Sequence, residues 1–362
     1  MGWAAHIHLC GHLWAPRGLD RGLAVILPWT RECAPRPLTS LASPRAPAAP
    51  LGAALYESHY LTAADPAGGR ALWLRFTALK RPGAPAHPTV WLTLFDASAG
   101  APRALRVTAS EPLADPGTVW ARSSLGEMGP SGACGEISAG AGEAHAASGA
   151  LASWDLRWEP RAGAVAYLPA RWLYDRPVPR SNGAALLPAA TAAGGVTLDG
   201  EEVAIDGWEA MVGHNWGTEH AHQWCWMHAG RLGEDGRGWL DLALVRIEIG
   251  PLTTPWIASG AIELDGRRYV PAPLRRVTCA RAGERTTVRV ALSGSAAVRV
   301  ELTAPRASTV TWDYASPRGP GRTVDNCSVA DAQISLETTD GTRAMTVTGS
   351  AAVEHGRPAA GP

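Results

Sequence analysis

From residue 51 onward apolar residues recur at every second position, and this period of two constrains the fold more than any other property of the chain. Successive side chains of a strand point to opposite faces, so such alternation predicts half-buried strands. Residues 71–77, 89–95 and 150–158 read this way, as do 239–249, 286–292, 297–302 and 344–353. Asp199-Gly200, Asp265-Gly266 and Asp340-Gly341 stand between apolar runs. Each is a hairpin signal, because a two-residue type I′ turn needs positive φ at both central positions. Helical periodicity longer than two turns is absent. The expected fold is all-β, built from many short antiparallel strands.

Three hundred residues of antiparallel sheet must hide their edges, and closure into barrels does so most completely. A chain of 362 residues is long enough for two such domains. The Pro-rich segment 168–188, which contains Arg176-Pro177-Val178-Pro179-Arg180, reads as a long connection. The expected organisation is an N-terminal barrel over 51–205 and a C-terminal barrel over 206–356, with no sequence repeat relating them. Residues 1–50 read differently. From Cys33 to Pro50 the chain is rich in Pro, Ala, Ser and Arg, a composition that buries too little apolar area to offset its ordering entropy. A disordered, low-complexity extension without a folded role is expected there.

Lys and Arg together number 33, as do Asp and Glu, so neither nucleic acid nor an anionic membrane is an expected partner. Lys80 is the single lysine, a bias of GC-rich coding that makes arginine counts poor evidence for phosphate sites. The six cysteines form no C-x-x-C pair, which favours reduced thiols and a cytoplasmic location over a disulfide framework. No run of eighteen apolar residues exists, so no membrane span is expected. Gly-rich phosphate loops and the G-x-S-x-G elbow are also missing, which weakens nucleotide and hydrolase readings. No cofactor is expected.

Function concentrates in residues 211–228. They hold His214, His220, His222 and His228 of the eleven histidines, and Trp216, Trp224 and Trp226 of the sixteen tryptophans. Aromatics and imidazoles join wide apolar surface to a few polar tips, the chemistry of a pocket wall. On a strand, His222, Trp224, Trp226 and His228 share one face, while Gln223, Cys225 and Met227 take the other. The first face suits an elongated apolar ligand, or else packs as core between the domains. Gly213 and Gly217 bracket His-Asn-Trp and suggest a tight or bulged backbone at a barrel mouth. His214 could serve as acid or base, and Glu219 beside His220 could donate a proton or orient an imidazole. Alternatively Asn215, Glu219 and His220 tie down the turn. His220-x-His222 with His214 or His228 offers three metal-type ligands. No carboxylate pattern of known zinc spacing accompanies them, and no metal is expected.

The run Gly213-His214-Asn215-Trp216-Gly217-Thr218-Glu219-His220, followed by Trp224-Cys225-Trp226, resembles the signature of the AttH-like and carotenoid 1,2-hydratase (hydroxyneurosporene synthase) superfamily. Tocopherol cyclases carry a related Asn-Trp-Gly followed by Trp-x-Trp. Trp73-Leu74-Arg75-Phe76, Ser153-Trp154-Asp155-Leu156 and Tyr174-x-x-Pro177-x-Pro179-Arg180 agree, and the resemblance spans roughly residues 55–356. It implies two packed lipocalin-like barrels with an apolar pocket near their junction. It also implies a cofactor-independent lyase or isomerase (hydratase, cyclase or pericyclase) acting on a polyene, terpenoid or polyketide-like molecule. Such chemistry needs a proton donor and aromatic faces beside a cation.

On this reading His214, Glu219 and His220 are the catalytic candidates. Asn215, Trp216, His222, Trp224, Trp226, His228 and Asp241 are the substrate-binding ones, and Glu219, His214 and Asp241 compete for the role of donor. The tyrosine–aspartate pair that carotenoid hydratases show downstream of the motif has no recognisable counterpart. A non-catalytic carrier of a hydrophobic small molecule is the rival reading. A third is that the motif only cements the interdomain core. Oligomeric state is not legible.

Overall fold

Alternating side chains pair into two curled antiparallel sheets in the computed structural model, which describes residues 41–50, 52–140, 150–176 and 179–359. The first sheet holds β1 (Leu55–Ala64), β2 (Arg70–Lys80), β3 (His87–Asp96), β4 (Arg103–Thr108), β5 (Ala121–Ser123) and β6 (Gly126–Met128). It continues through β7 (Gly132–Ser138), β8 (Leu151–Pro160), β9 (Val165–Ala166), β10 (Ser181–Leu198) and β11 (Glu201–Gly217). The second sheet begins with β12 (Gln223–Leu232) and β13 (Gly238–Arg246). A separate small hairpin, β14 (Glu248–Ile249) and β15 (Leu252–Thr253), interrupts it. It resumes with β16 (Ile257–Leu264), β17 (Arg267–Tyr269), β18 (Val277–Ala282), β19 (Arg285–Ala291) and β20 (Ala297–Thr303). β21 (Val310–Tyr314), β22 (Arg322–Thr338) and β23 (Gly341–Pro358) complete it.

Each sheet pairs the strands first and last in sequence, β1 with β11 and β12 with β23, at its middle. Among the described residues it ends in unpaired edges, β4 and β5 or β17 and β18, so each curls as a half-barrel around its own core. The result is the expected all-β architecture of two tandem lipocalin-like barrels packed together. Leu61, Leu74, Leu92, Trp154 and Val212 lie in the first core; Cys225, Met227, Leu242, Val288 and Ile334 lie in the second. A third cluster containing Tyr60, Met211, Trp226 and Trp239 fills the junction. In the second core cluster Trp312 of β21 meets Trp73 and Trp91 from the outer face of β2 and β3, with ring centroids 6.1 and 5.0 Å away.

Two of the three expected turns form as read, with positive φ at both Asp199-Gly200 and Asp265-Gly266. At the third only Gly341 is positive, so it is not type I′. The chain changes sheet between Gly217 and Gln223, and the boundary expected at 205 falls inside β11. The run 239–249 ends its strand at Arg246. The connection read over 168–188 stops at Ser181, where β10 begins. Pro188 sits inside that strand, where the register with β11 shifts between Leu187 and Ala190, and a bulge tolerates the missing N–H.

The extension also needs correction. Leu41, Ala42 and Ala46 are buried, and Leu41 and Ala42 join the first barrel's core. Segment 41–50 therefore has a folded role despite its composition; residues 1–40 lie outside the described residues.

Candidate functional site

The first part of the signature motif, Gly213 to Gly217, runs along β11 as continuous strand, and alternation divides it between two compartments. Against β1 the register pairs His59 with His214 and Tyr60 with Gly213. Glu57, His59, His214 and Trp216 point into the first barrel's lumen, whereas Tyr56, Tyr60 and Asn215 point toward the second barrel. The tight turn expected at Gly213–Gly217 is absent because the glycine serves another purpose. A Cβ on Gly213 would stand 2.3 Å from the Tyr60 ring. Gly356 of β23 does the same for Trp224, whose ring a Cβ would meet at 2.2 Å.

In the lumen His214 Nε2 lies 2.8 Å from Glu57 Oε1 and its Nδ1 lies 2.6 Å from the Leu41 carbonyl oxygen. Both partners are acceptors, so the imidazolium form, donating twice, satisfies both. Glu57 also accepts the backbone N–H groups of Arg45 and Ala46, each at 2.7 Å. Burial alone would push the Glu57 carboxyl up, but the hydrogen bond and charge of His214 outweigh it and hold the pKa at about 2. His59 stacks on His214 with centroids 3.9 Å apart, and burial followed by the neighbouring His214 charge drives it down to about 3. Ligand-type atoms of Glu57, His59 and His214 lie within 4.8 Å of one another, the one such group among the described residues. Their existing bonds to each other and to segment 41–46 make the arrangement a buried ion pair that anchors that segment.

The second compartment is a cavity of about 140 Å³ between the barrels. That is close to the ~150 Å³ that holds a benzene-sized molecule, so the cavity takes one ring or hydrocarbon segment while the rest of a longer chain extends through its open side. Trp224, Trp226 and Tyr60 give it an aromatic wall, with Ser181, Asn182 and Asn215 as polar wall groups. Asn182 Oδ1 is buried without a hydrogen-bond partner.

Beneath the aromatic wall sits Asp241, fully buried on β13. Its Oδ1 accepts from Trp226 Nε1 and its Oδ2 from the Tyr167 hydroxyl, both at 2.9 Å. Burial raises the Asp241 carboxyl to about 7, against the opposing pull of these two donors. Tyr167 lines the cavity and also contacts the Tyr60 hydroxyl. Burial, then the charge of Asp241, pushes the Tyr167 phenol well above its ordinary range. A carboxyl poised near neutrality is thus linked to the cavity through one phenol. This tyrosine–aspartate pair is assembled from residues 74 positions apart, which is why no local pattern marked it.

At the cavity's other flank Glu354 Oε1 accepts from Trp224 Nε1 at 2.9 Å. Its Oε2 accepts from Tyr314 at 3.0 Å and from Asn326 at 3.3 Å. Arg75 of β2 lies opposite Tyr60 on the same wall, with its guanidinium 4.1 Å over the Tyr314 ring.

Of the residues singled out from sequence, Asn215, His220, Trp224 and Trp226 line the cavity and Asp241 underlies it. The His220 ring lies 4.0 Å from that of Tyr56, tilted by 34°, and burial followed by the Arg75 charge drives its pKa well below the usual imidazole range. It is therefore neutral and unsuited to act as the acid. His214 and Trp216 belong to the lumen, where Trp216 stacks on Tyr174. Glu219 pairs with Arg180 at 2.7 Å on the surface, and His222 pairs with Glu248 at 2.9 Å. His228 is buried 3.0 Å from the Pro188 carbonyl oxygen. None of these five lines the cavity. Sequence reasoning missed Tyr60, Tyr167, Tyr314 and Glu354. Arg75 was quoted only as part of Trp-Leu-Arg-Phe, although an arginine amid a buried strand is itself a signal.

This pair of barrels with a cavity at the junction is the AttH-type, tandem lipocalin-like fold. Solved structures that share it include a protein assigned as AttH from Nitrosomonas europaea (TM-score 0.50, 15% identity, 85% of this chain and 93% of that one), kievitone hydratase from Nectria haematococca (0.51, 14%, 89% and 92%) and CghA with Sch210972 (0.51, 11%, 84% and 88%). In sequence, an uncharacterized protein of Mycobacterium tuberculosis is 27% identical over 292 residues, covering 77% of this chain and 80% of the relative. No protein-family model matches the chain. No helix among the described residues is long and apolar enough to cross a membrane.

Proposed function

We propose that the chain is a cofactor-independent lyase or isomerase, of hydratase or cyclase type, acting on an apolar polyene, terpenoid or polyketide-like molecule held between the barrels. The observation that carries this reading is the Tyr167–Asp241 pair at the wall of an aromatic cavity. With its carboxyl near pH 7, Asp241 holds a proton or accepts one at comparable cost, the condition for general acid–base work. Tyr167 passes that proton: its hydroxyl protonates an alkene carbon as Asp241 reprotonates it, and the reverse sequence removes one. The faces of Trp224 and Trp226 stabilise the cationic carbon formed on protonation. Water or an internal double bond then captures it, and the proton lost from the captured water or from the new cation returns through Tyr167 to the Asp241 carboxylate, giving hydration or cyclisation. Known enzymes of the same fold, kievitone hydratase among them, support the reaction class.

The test is incubation of the purified chain with a panel of polyenes and terpenoids in H₂¹⁸O, followed by mass spectrometry. Label uptake identifies hydration, and an altered retention time at unchanged mass identifies isomerisation. Asp241→Asn and Tyr167→Phe should each abolish either change. A compound that binds and is recovered unchanged, with the two variants altering affinity alone, establishes the carrier reading instead.

A further inference from the structure

Arg75 is 7% exposed, yet among the described residues no carboxylate comes within ion-pair distance of it. Its Nε donates to Ser58 Oγ at 2.8 Å, and its guanidinium lies flat over Tyr314. Trp91 and Trp73 hold it from other sides, at 5.7 and 5.9 Å from their ring centroids. An aromatic cage offsets part of the desolvation of a buried cation, but an uncompensated one remains costly. A guanidinium carries five N–H donors in a fixed fork. One is used on Ser58 and the Tyr314 hydroxyl is in reach of another, which leaves donors over at the cavity wall.

The carboxylate that shares the cavity does not serve as its counter-charge. Glu354 lines the same cavity, but its two oxygens are engaged by Trp224, Tyr314 and Asn326. That leaves the cavity with a rigidly caged cation on one wall and the Tyr167–Asp241 pair on another. Asn182 Oδ1 adds an unpartnered acceptor. A substrate that is apolar throughout would enter such a site and leave the cation unpaired.

We infer that Arg75 is an anion anchor, so that the substrate is an amphiphile carrying one carboxylate or acidic enolate oxygen, bound bidentately by the guanidinium while its apolar part lies along Trp224 and Trp226. This rests on reading the junction cavity as the substrate site. Anchoring at a fixed point also sets which carbon of the chain reaches Tyr167, so Arg75 positions the substrate without touching the reacting atoms.

The probe is cis-parinaric acid, whose fluorescence rises in apolar surroundings, compared with its methyl ester on the full chain at pH 8. The acid should bind at least about tenfold more tightly, the size of a charge-assisted hydrogen-bonded pair. Arg75→Gln should reduce acid affinity to that of the ester and leave the ester unchanged, while Arg75→Lys retains part of the preference. Equal binding of acid and ester by the native chain overturns the inference and leaves the proposed apolar site intact. Persistence of the preference in Arg75→Gln overturns it too. Binding of neither probe overturns both readings. Should Arg75→Gln fail to fold, the comparison in the native chain decides alone.

Discussion

Tyr167 donates a 2.9 Å hydrogen bond to Asp241 Oδ2, and that bond crosses from the segment beside β9 of the first barrel to β13 of the second. The barrel junction and the acid–base pair are therefore the same structure. Burial sets the Asp241 carboxyl at about 7 because the junction excludes water.

That value has a stability consequence with a definite sign. In the unfolded chain Asp241 titrates near 3.8; in the folded chain it titrates near 7, so between those values the folded state binds more protons. Stability must then fall as pH rises from about 4 to about 7 and level off above, by of order 4 kcal/mol for this group. Asp241→Asn keeps the shape without the charge: its Oδ1 still accepts from Trp226 Nε1, while its amide N–H donates to the Tyr167 hydroxyl and reverses that bond. Thermal melts from pH 4 to 9 should show the variant gaining on the native chain across that window. Parallel curves would mean that Asp241 ionises normally.

Gly213 makes room for Tyr60, and Gly356 makes room for Trp224. Gly213→Ala forces the Tyr60 ring away from Tyr167 and into the cavity, at a cost of about 1–3 kcal/mol for overpacking. Both effects are measurable: a lower melting temperature and weaker binding of the methyl ester of cis-parinaric acid. Unchanged binding would show that Tyr60 yields without narrowing the cavity.

Leu41 is 1% exposed inside the first barrel although it lies in a stretch whose composition reads as extension. Leu41→Ala should cost about 2–5 kcal/mol, the range for a buried leucine, in chemical denaturation. A change below about 0.5 kcal/mol would return the segment to the status its composition suggests.

The alternation that predicts β2, β3 and β8 is legible because each strand must hide one face, and the pattern is local. The two-barrel architecture and the Trp224/Trp226 face were legible for the same reason. The site was only half legible. His214 and Asn215 are neighbours in sequence, but a strand sends them to different compartments, and the expected turn at Gly213 obscured this. Asn215 and Trp224 share the cavity, whereas His214 meets Glu57, a residue 157 positions away. Partners such as Tyr167 for Asp241 and Glu354 for Trp224 are created by barrel packing, and no spacing rule encodes them.

Glu57 and His214 supply the opposite pH signature to Asp241. The Glu57 carboxyl is held at about 2 in the folded chain, against about 4.5 unfolded, through the hydrogen bond and charge of His214 overcoming burial. A depressed acid contributes stability that is complete above its unfolded value and disappears as pH falls through the folded one, here roughly 3 kcal/mol lost between about 4.5 and 2. Glu57→Gln removes that dependence and leaves a donor facing the Ala46 N–H, with His214 buried beside a neutral group. The variant should be destabilised by about 3–5 kcal/mol at neutral pH and show a flatter acid limb. Because the pair faces the lumen, the variant should still bind cis-parinaric acid at the junction as the native chain does. Loss of that binding in a protein that remains folded would show that the lumen and the junction cavity act as one site.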